Sequence, residues 1–317
     1  MDSGHSVHGI CRLPDGSYAV TDADEEVFFL YTHLAGQKPS GSENEFRGLG
    51  YLDNHNDLLT LEFTYPKATR ESTKGKRRSR KKSIDHELET LEVQLAQDQT
   101  ALRSRKGDTG SVVWKASAEF AQLVLQQCHS DDPSIFLDRA QLENAHVLEL
   151  GAGTGLLGII FARLVRRYTA TDIKELVPLI SKNLAVNNVL SSSTPGNGVT
   201  VQTGVAAEAL DWVSLHNATP STRRSTYTYP PIDLLLVIDC IYHPSLLPSL
   251  VDTLDHLASP DRTTVLVIVE LRAEDVVREF LELWLKAGDG TWEIWHAHDI
   301  MRGPYVVWVG KKVSNTT

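Results

Sequence analysis

From about residue 110 onward, apolar runs of strand length alternate with stretches whose apolar residues recur every three or four positions. "HVLEL" (146–150), "IDLLLVID" (232–239) and "TTVLVIVEL" (263–271) read as buried strands, with "TATD" (169–172) and "VTVQTGV" (199–205) as further strand segments. Between them, "ASAEFAQLVLQQC" (116–128), "LLGIIFARLVRRY" (156–168), "KELVPLISKNLAVNN" (174–188), "HPSLLPSLVDTLDHL" (243–257) and "EDVVREFLELWLKAG" (274–288) read as helices. Strands and helices in this rhythm predict a mainly parallel sheet covered on both faces. "TWEIWHAHD" (291–299) and "YVVWVGKK" (305–312) follow one another without a helix, which predicts an antiparallel hairpin.

Before residue 66 the pattern differs. "DGSYAVTDADEEVFFLYTH" (15–33) and "NDLLTLEFTY" (56–65) alternate apolar and polar residues around Gly, Asn and Asp, and predict short strands and turns. "HELETLEVQLAQDQTALRSR" (86–105) fits a helix face through Leu88, Leu91 and Leu95, and a strand through Leu91, Val93 and Leu95. The Pro-, Ser- and Thr-rich stretches at 191–198 and 217–231 read as surface loops.

Charge changes this picture in one place. Residues 67–82, "KATRESTKGKRRSRKK", carry nine Lys/Arg against one Glu, so the rest of a chain with formal charge −10 carries −18. A basic insertion at about 67–84, disordered and solvated, is expected within an N-terminal β-rich extension spanning 1–107. Its core, 74–82, suits a nucleic acid or an import receptor, whereas the acidic body suits a basic protein partner. No apolar run reaches the ~18 residues of a membrane helix, and the polar start shows no leader, so a cytoplasmic, monomeric protein with nuclear access through "KGKRRSRKK" is expected. The cysteines, Cys11, Cys128 and Cys240, are scattered, which argues against a metal site.

The chemistry is concentrated in "HVLELGAGTGLLG" (146–158), a strand, a glycine loop and a helix start. Small residues let a backbone approach a ligand, and the helix start offers free N–H groups. Two frames are possible: Gly151, Gly153 and Gly155, or Gly153, Gly155 and Gly158. The absence of a Lys-Ser/Thr pair excludes a Walker loop. An acidic partner for ribose hydroxyls is expected about 20 positions on. Asp172 lies 17 residues past Gly155 but only 14 past Gly158, which favours the first frame. Glu149, two residues before the first glycine, would repel a pyrophosphate and attract a cation with an amino or sulfonium group. S-adenosylmethionine has both groups and no phosphate.

"LELGAGTGLLG" followed by "ATD" resembles the cofactor motifs of class I, seven-strand S-adenosylmethionine methyltransferases. "DTGSVVWKAS" (108–117), "NLAVNN" (183–188), "LDW" (210–212), "VIDCIYHPSLLPSLVDTL" (237–254) and "ELRAEDVVREFLELW" (270–284) resemble the protein lysine methyltransferases of that fold. The N-terminal "DADEEVFFLYTHL" and "LAQDQTALRSRKGDTGSVVW" are similar to the fungal ribosomal lysine N-methyltransferase 5 family. The resemblance implies a Rossmann-like α/β domain over 108–317, with a seven-stranded, mainly parallel sheet. It implies S-adenosyl-L-methionine as donor and S-adenosylhomocysteine as product. It assigns Trp114, Glu149, Gly151, Ala152, Gly153, Gly155, Asp172, Trp212 and Ile238 to the cofactor, with Trp212 near the adenine. It assigns the Asp-x-x-Tyr pair, Asp239 and Tyr242, to catalysis, and implies a lysine of a large-subunit ribosomal protein as substrate.

Methylating an amine needs a neutral nucleophile, and neutralising lysine, pKa about 10.4, near pH 7.4 costs ~4 kcal/mol. Asp239 would grip and orient the ammonium, and Tyr242 would wall its channel. Plainer alternatives stay open. Asp239 could cap the following helix, Trp114 and Trp212 could be packing residues, and Glu270 and Arg272 could form a structural ion pair. Trp284, Trp292, Trp295 and Trp308 read as core, and His243 as a helix-start residue. A small-molecule N-methyltransferase and a non-catalytic cofactor-binding scaffold are the competing functions.

Overall fold

The computed structural model describes residues 7–36, 50–52, 56–67, 88–98, 109–130, 135–189 and 204–314. Most of the basic tract at 67–82, and the 191–198 stretch, lie outside the described residues. The short strands β1 (Val7–His8) and β2 (Cys11–Arg12) pair with each other apart from the central sheet, which runs β3 (Tyr18–Ala19), β11 (Trp292–His296), β12 (Tyr305–Lys312), β10 (Thr264–Glu270), β9 (Leu234–Ile238), β6 (His146–Leu150), β7 (Arg167–Asp172), β8 (Gly204–Ala209). Its parallel part is β6 (His146–Leu150), β7 (Arg167–Asp172), β8 (Gly204–Ala209), β9 (Leu234–Ile238) and β10 (Thr264–Glu270). The C-terminal hairpin is antiparallel as expected: β12 (Tyr305–Lys312) lies between β10 and β11 (Trp292–His296). These seven strands gain an eighth, β3 (Tyr18–Ala19), which pairs with β11 from the N-terminal extension.

The central parallel strands β6, β9 and β10 are buried on both faces, which is why they read as apolar runs. In β9, Leu234, Leu236 and Ile238 enter one core and Leu235 and Val237 the other. The helices at Lys115–Cys128 and Leu156–Phe161 cover the first face. Those at Leu247–Leu257 and Glu274–Lys286 cover the second, where Trp284 and Trp308 are fully buried. The chain runs outward from β6 to β8, then returns to place β9 beside β6. This reversal opens a crevice beyond the carboxyl ends of β6 and β9, where open α/β sheets bind ligands.

Three expectations are corrected. The helix read over 156–168 ends at Phe161, and Arg167 and Tyr168 already belong to β7. Residues Ala23–Gly36, read as strand and turn, form a 14-residue helix. Its buried residues Ala23, Glu26, Val27 and Leu30 follow helical spacing, and Asp22 caps it, accepting from the Glu25 amide at 2.9 Å. An Asp followed three residues later by Glu is a capping-box pattern, which the local alternation around Tyr18 and Val20 obscured. Within 217–231, read as loop, Pro220–Thr226 is a short helix, with Thr219 as N-cap and Pro220 in its first turn.

The ambiguous segment resolves as a strand, β5 (Leu88–Ala96), antiparallel to β4 (Leu58–Pro66). Its free edge does not join the large sheet. Instead, two asparagines of the helix Val177–Val186 and its C-cap stand in for a neighbouring strand. The Asn183 carboxamide accepts from Ala96 N at 2.7 Å and donates to Ala96 O at 3.0 Å. Asn187 does the same at Gln94, at 3.1 and 2.8 Å. One helical turn of four residues rises ~6.0 Å, close to the ~6.8 Å between alternate strand residues. Asn183 also donates to Thr154 O at 2.9 Å, so it ties the extension to the glycine loop.

Candidate cofactor and substrate site

The loop after β6 is built by left-handed backbone. Gly151, Gly153 and Gly155 have φ of +68°, +57° and +78°. Side chains are excluded by more than conformation. A Cβ on Gly153 would stand 2.9 Å from Gly110 O, and one on Gly151 would stand 2.7 Å from Cys240 Sγ. Gly158 instead sits inside the helix, facing Leu184 and Val205, so its smallness serves helix–sheet packing. The first glycine frame is the one that forms the loop.

One cavity gathers almost every residue singled out in the sequence. Trp114, Glu149, Gly151, Ala152, Gly153, Asp172, Trp212 and Ile238 line it, together with Asp239 and Tyr242. Gly155 stands one step back, opening the helix against Ile180. Thr109, Gly110, Thr154 and Cys240 also line the cavity and were not foreseen. For Gly110 a signal existed: it is the glycine of the segment leading to Trp114, and its Cα faces Gly153.

Asp172 holds the loop. Its Oδ2 accepts from Gly153 N at 2.8 Å and its Oδ1 from Ile173 N at 2.8 Å. Glu149 is 2% exposed and accepts from the Tyr168 hydroxyl at 2.6 Å. Burial pushes its pKa up to about 8, against that hydrogen bond. Trp212 starts a short helix capped by Asp211, its ring edge stands 3.3 Å from where a Gly151 Cβ would be, and its buried Nε1 has no hydrogen-bond partner among the described residues.

At the end of β9 the backbone turns through Asp239, at φ +57°. This carboxylate caps no helix. It receives Arg272 in a two-point pair, Nη1 to Oδ1 at 2.9 Å and Nη2 to Oδ2 at 2.6 Å, plus the Glu270 amide at 3.2 Å. Arg272 also reaches Glu270 at 2.6 Å, so the Glu270–Arg272 ion pair exists and includes Asp239. Burial raises the Asp239 pKa despite the guanidinium. The Arg272 guanidinium carbon lies 5.2 Å from the centre of the Trp114 ring, and Trp114 donates to Thr109 O at 2.9 Å. The carboxylate expected to grip an incoming ammonium is therefore already shared with a guanidinium. His243 hydrogen-bonds Ser245 and opens a 3-10 turn, as a helix-start residue would.

Known proteins converge on this arrangement. Ribosomal lysine N-methyltransferase 5 of Candida glabrata is 24% identical over 322 residues, covering 82% of this chain and 88% of that protein. Protein N-lysine methyltransferase METTL21A of Danio rerio is 27% identical over 201 residues, covering 63% and 77%. A Schizosaccharomyces pombe protein named diaminohydroxyphosphoribosylamino-pyrimidine deaminase is 29% identical over 236 residues, 74% of this chain, but the chain spans only 52% of its length. The family profile described as lysine methyltransferase matches residues 94–286, a span that holds the glycine loop, Asp172, Trp212, Asp239 and Arg272. With its sheet order, its glycine turn and that match in agreement, the chain belongs to the lysine methyltransferase family.

Proposed function

We propose that this protein transfers a methyl group from S-adenosylmethionine to the side-chain amine of a lysine in a basic protein, a ribosomal one by the name of relatives such as the Candida glabrata enzyme and a large-subunit one as the sequence resemblance implies. One observation carries the reading: the glycine turn, two carboxylates of opposite surroundings and two tryptophans meet in a single cavity at the sheet's switch point. The cavity fits the cofactor's chemistry. Glu149 suits its cationic amino acid end, and Asp172 puts a carboxylate, an acceptor for ribose hydroxyls, in the wall of the same cavity. Trp212 offers a ring face and an Nε1 that has no partner among the described residues, Trp114 a second face, and Ala152 and Ile238 apolar contact. Gly155 serves by setting the helix start that the loop N–H groups lead into. When bound, the cofactor would supply a sulfonium methyl whose carbon an amine attacks in line, the C–S bond breaking as the N–C bond forms and S-adenosylhomocysteine leaving, without a covalent enzyme intermediate.

The chain's own groups prepare the amine. Asp239, Glu270 and Arg272 together carry a formal −1, which favours an arriving ammonium. Asp239 shares its carboxylate between Arg272 and that ammonium, and Tyr242 walls the approach. Removal from water lowers the cost of losing the proton, which leaves to solvent beside Asp239. Holding the amine in line with the methyl carbon and its leaving sulfur would supply roughly 7–11 kcal/mol of the barrier reduction. The methyltransferase domain is assigned to 108–317 and the extension to 1–107, acting as a monomer in the cytoplasm. Residues 74–82 are left for an import receptor or nucleic acid.

The test is transfer of labelled methyl to proteins of a lysate lacking this enzyme, with Asp239→Asn alongside. Asparagine tolerates the positive φ and keeps a hydrogen-bond acceptor for Arg272. The expected result is a labelled ribosomal protein, with transfer reduced by at least ~100-fold in the variant and cofactor binding retained. Label confined to small molecules would replace the reading with small-molecule N-methylation. No label anywhere, with cofactor still bound, would make the protein a scaffold.

A further inference from the structure

The cofactor cavity occupies the β6, β7 and β9 half of the sheet's ligand edge. The other half of the same edge is not flat. Leu271 follows β10, Tyr305 begins β12, His296 ends β11 and Tyr18 begins β3. Because β12 is antiparallel to β10, β11 to β12 and β3 to β11, these four residues come to one edge. A groove of about 980 Å³ runs along it, with the helix Ala23–Gly36 as one wall and the turn before Tyr305 as the other.

The groove reaches the catalytic end. Tyr305 is the register partner of Glu270, and Leu271 N donates to Pro304 O at 2.7 Å. Glu270 in turn holds the guanidinium that pairs Asp239. Its walls carry three exposed carboxylates, Asp22, Glu25 and Asp299, against the single guanidinium of Arg302, with Glu26 buried beneath. Between them Phe29 is 52% exposed, an apolar surface along which the aliphatic stem of a long cationic side chain can lie. A volume at the top of the range for small-molecule pockets suits an extended chain better than a lone amine.

We infer that this groove is the docking track for the substrate, an extended basic peptide segment that carries the target lysine to Asp239. The inference rests on the lysine-methylation reading. It assigns Glu25, Phe29 and Asp299, none of them in the cofactor cavity, to substrate selection. The N-terminal extension thereby supplies one wall of the site.

The test uses the full chain and fluorescence anisotropy with a labelled peptide of alternating Lys and Gly, beside one of alternating Glu and Gly. Two variants are compared: Glu25→Gln/Asp299→Asn, in which Asn keeps the positive φ of residue 299, and Phe29→Ala, at an exposed position. The expected result is binding of the Lys peptide only, weakened roughly fivefold by the double neutralisation and by Phe29→Ala, and weakened by added salt in the wild type. Cofactor affinity stays unchanged. With a methylated lysate protein as substrate, KM rises in both variants while kcat holds. No binding of the Lys peptide by the wild type, binding by both variants as tight as by the wild type, or preference for the Glu peptide would each overturn the groove's assignment. Absence of protein methylation by the wild type would instead overturn the parent reading, with the anisotropy still reporting on the groove.

Discussion

Two glutamates, each 2% exposed, show how differently the two halves of the molecule treat a buried carboxylate. In the cofactor cavity Glu149 has one donor, the Tyr168 hydroxyl, and burial pushes its pKa up to about 8. At the N-terminal edge Glu26 has three. The Tyr18 hydroxyl donates at 2.7 Å, His296 Nδ1 at 2.7 Å and Trp308 Nε1 at 2.9 Å. Burial would raise Glu26 too, but these donors hold it below the ordinary carboxylate range. One site keeps its desolvation cost uncompensated and is poised for a cationic ligand. The other compensates it fully and fastens the helix Ala23–Gly36 to β3, β11 and β12.

The sharpest way to break this contrast is Glu26→Ala. It leaves the fully buried Trp308 Nε1 without an acceptor, takes the acceptor from the partly buried His296 and the exposed Tyr18, and opens a cavity; the expected loss is about 2–4 kcal/mol in denaturant unfolding. A loss under 1 kcal/mol would show that the fastening is ornamental. Acid sharpens the same point. Because Glu26 is depressed in the folded state, its contribution is complete above the unfolded carboxylate value near 4.5 and disappears as pH falls through the lower folded value. Glu149 has the opposite sign. Raised in the folded state, it makes the ligand-free protein lose stability as pH climbs from about 4.5 to about 8. A stability profile of Glu149→Gln without that decline, and of Glu26→Gln without the acid limb, would confirm both assignments.

Next in size is a ligand effect. Near neutral pH the Glu149 carboxyl is largely protonated, so a cationic cofactor must expel its proton to gain the charge. Binding of S-adenosylmethionine should release a proton, read by calorimetry in buffers of different ionisation enthalpy. Glu149→Gln should abolish that component and weaken binding about tenfold, or ~1.4 kcal/mol. Smallest is Tyr168→Phe, which deletes the single donor to Glu149. It should cost about 1 kcal/mol and raise the pH at which proton release stops, as seen in the same titration. An unchanged profile would show that Tyr168 contributes packing alone.

The two halves were also unequally legible. Around Glu149 the signals are local: an apolar run, glycines at alternate positions, and an acid at the end of the next strand. Local backbone geometry dictates those choices, so the loop and its frame could be read before any packing was known. Around Glu26 the sequence misled. Tyr18, Glu26, His296 and Trp308 are up to 290 positions apart, counting from Tyr18 to Trp308, and no spacing announces that they meet. The helix that carries Glu26 was hidden behind apolar–polar alternation although its cap, Asp22, was in view.

Asp239 lies between these extremes. Its place at the end of an apolar strand and three residues before Tyr242 marked it as part of the site. Its pairing with Arg272, 33 residues on, did not show. The strands, the helices over the parallel sheet, the glycine turn and the cofactor class follow from residue order, because period, conformation and short-range charge are properties of neighbours. The eighth strand, the asparagine edge of β5, the shared carboxylate of Asp239 and the groove beside Phe29 were decided only by tertiary structure. Each depends on which distant polar groups burial forces together, and on how their desolvation is compensated.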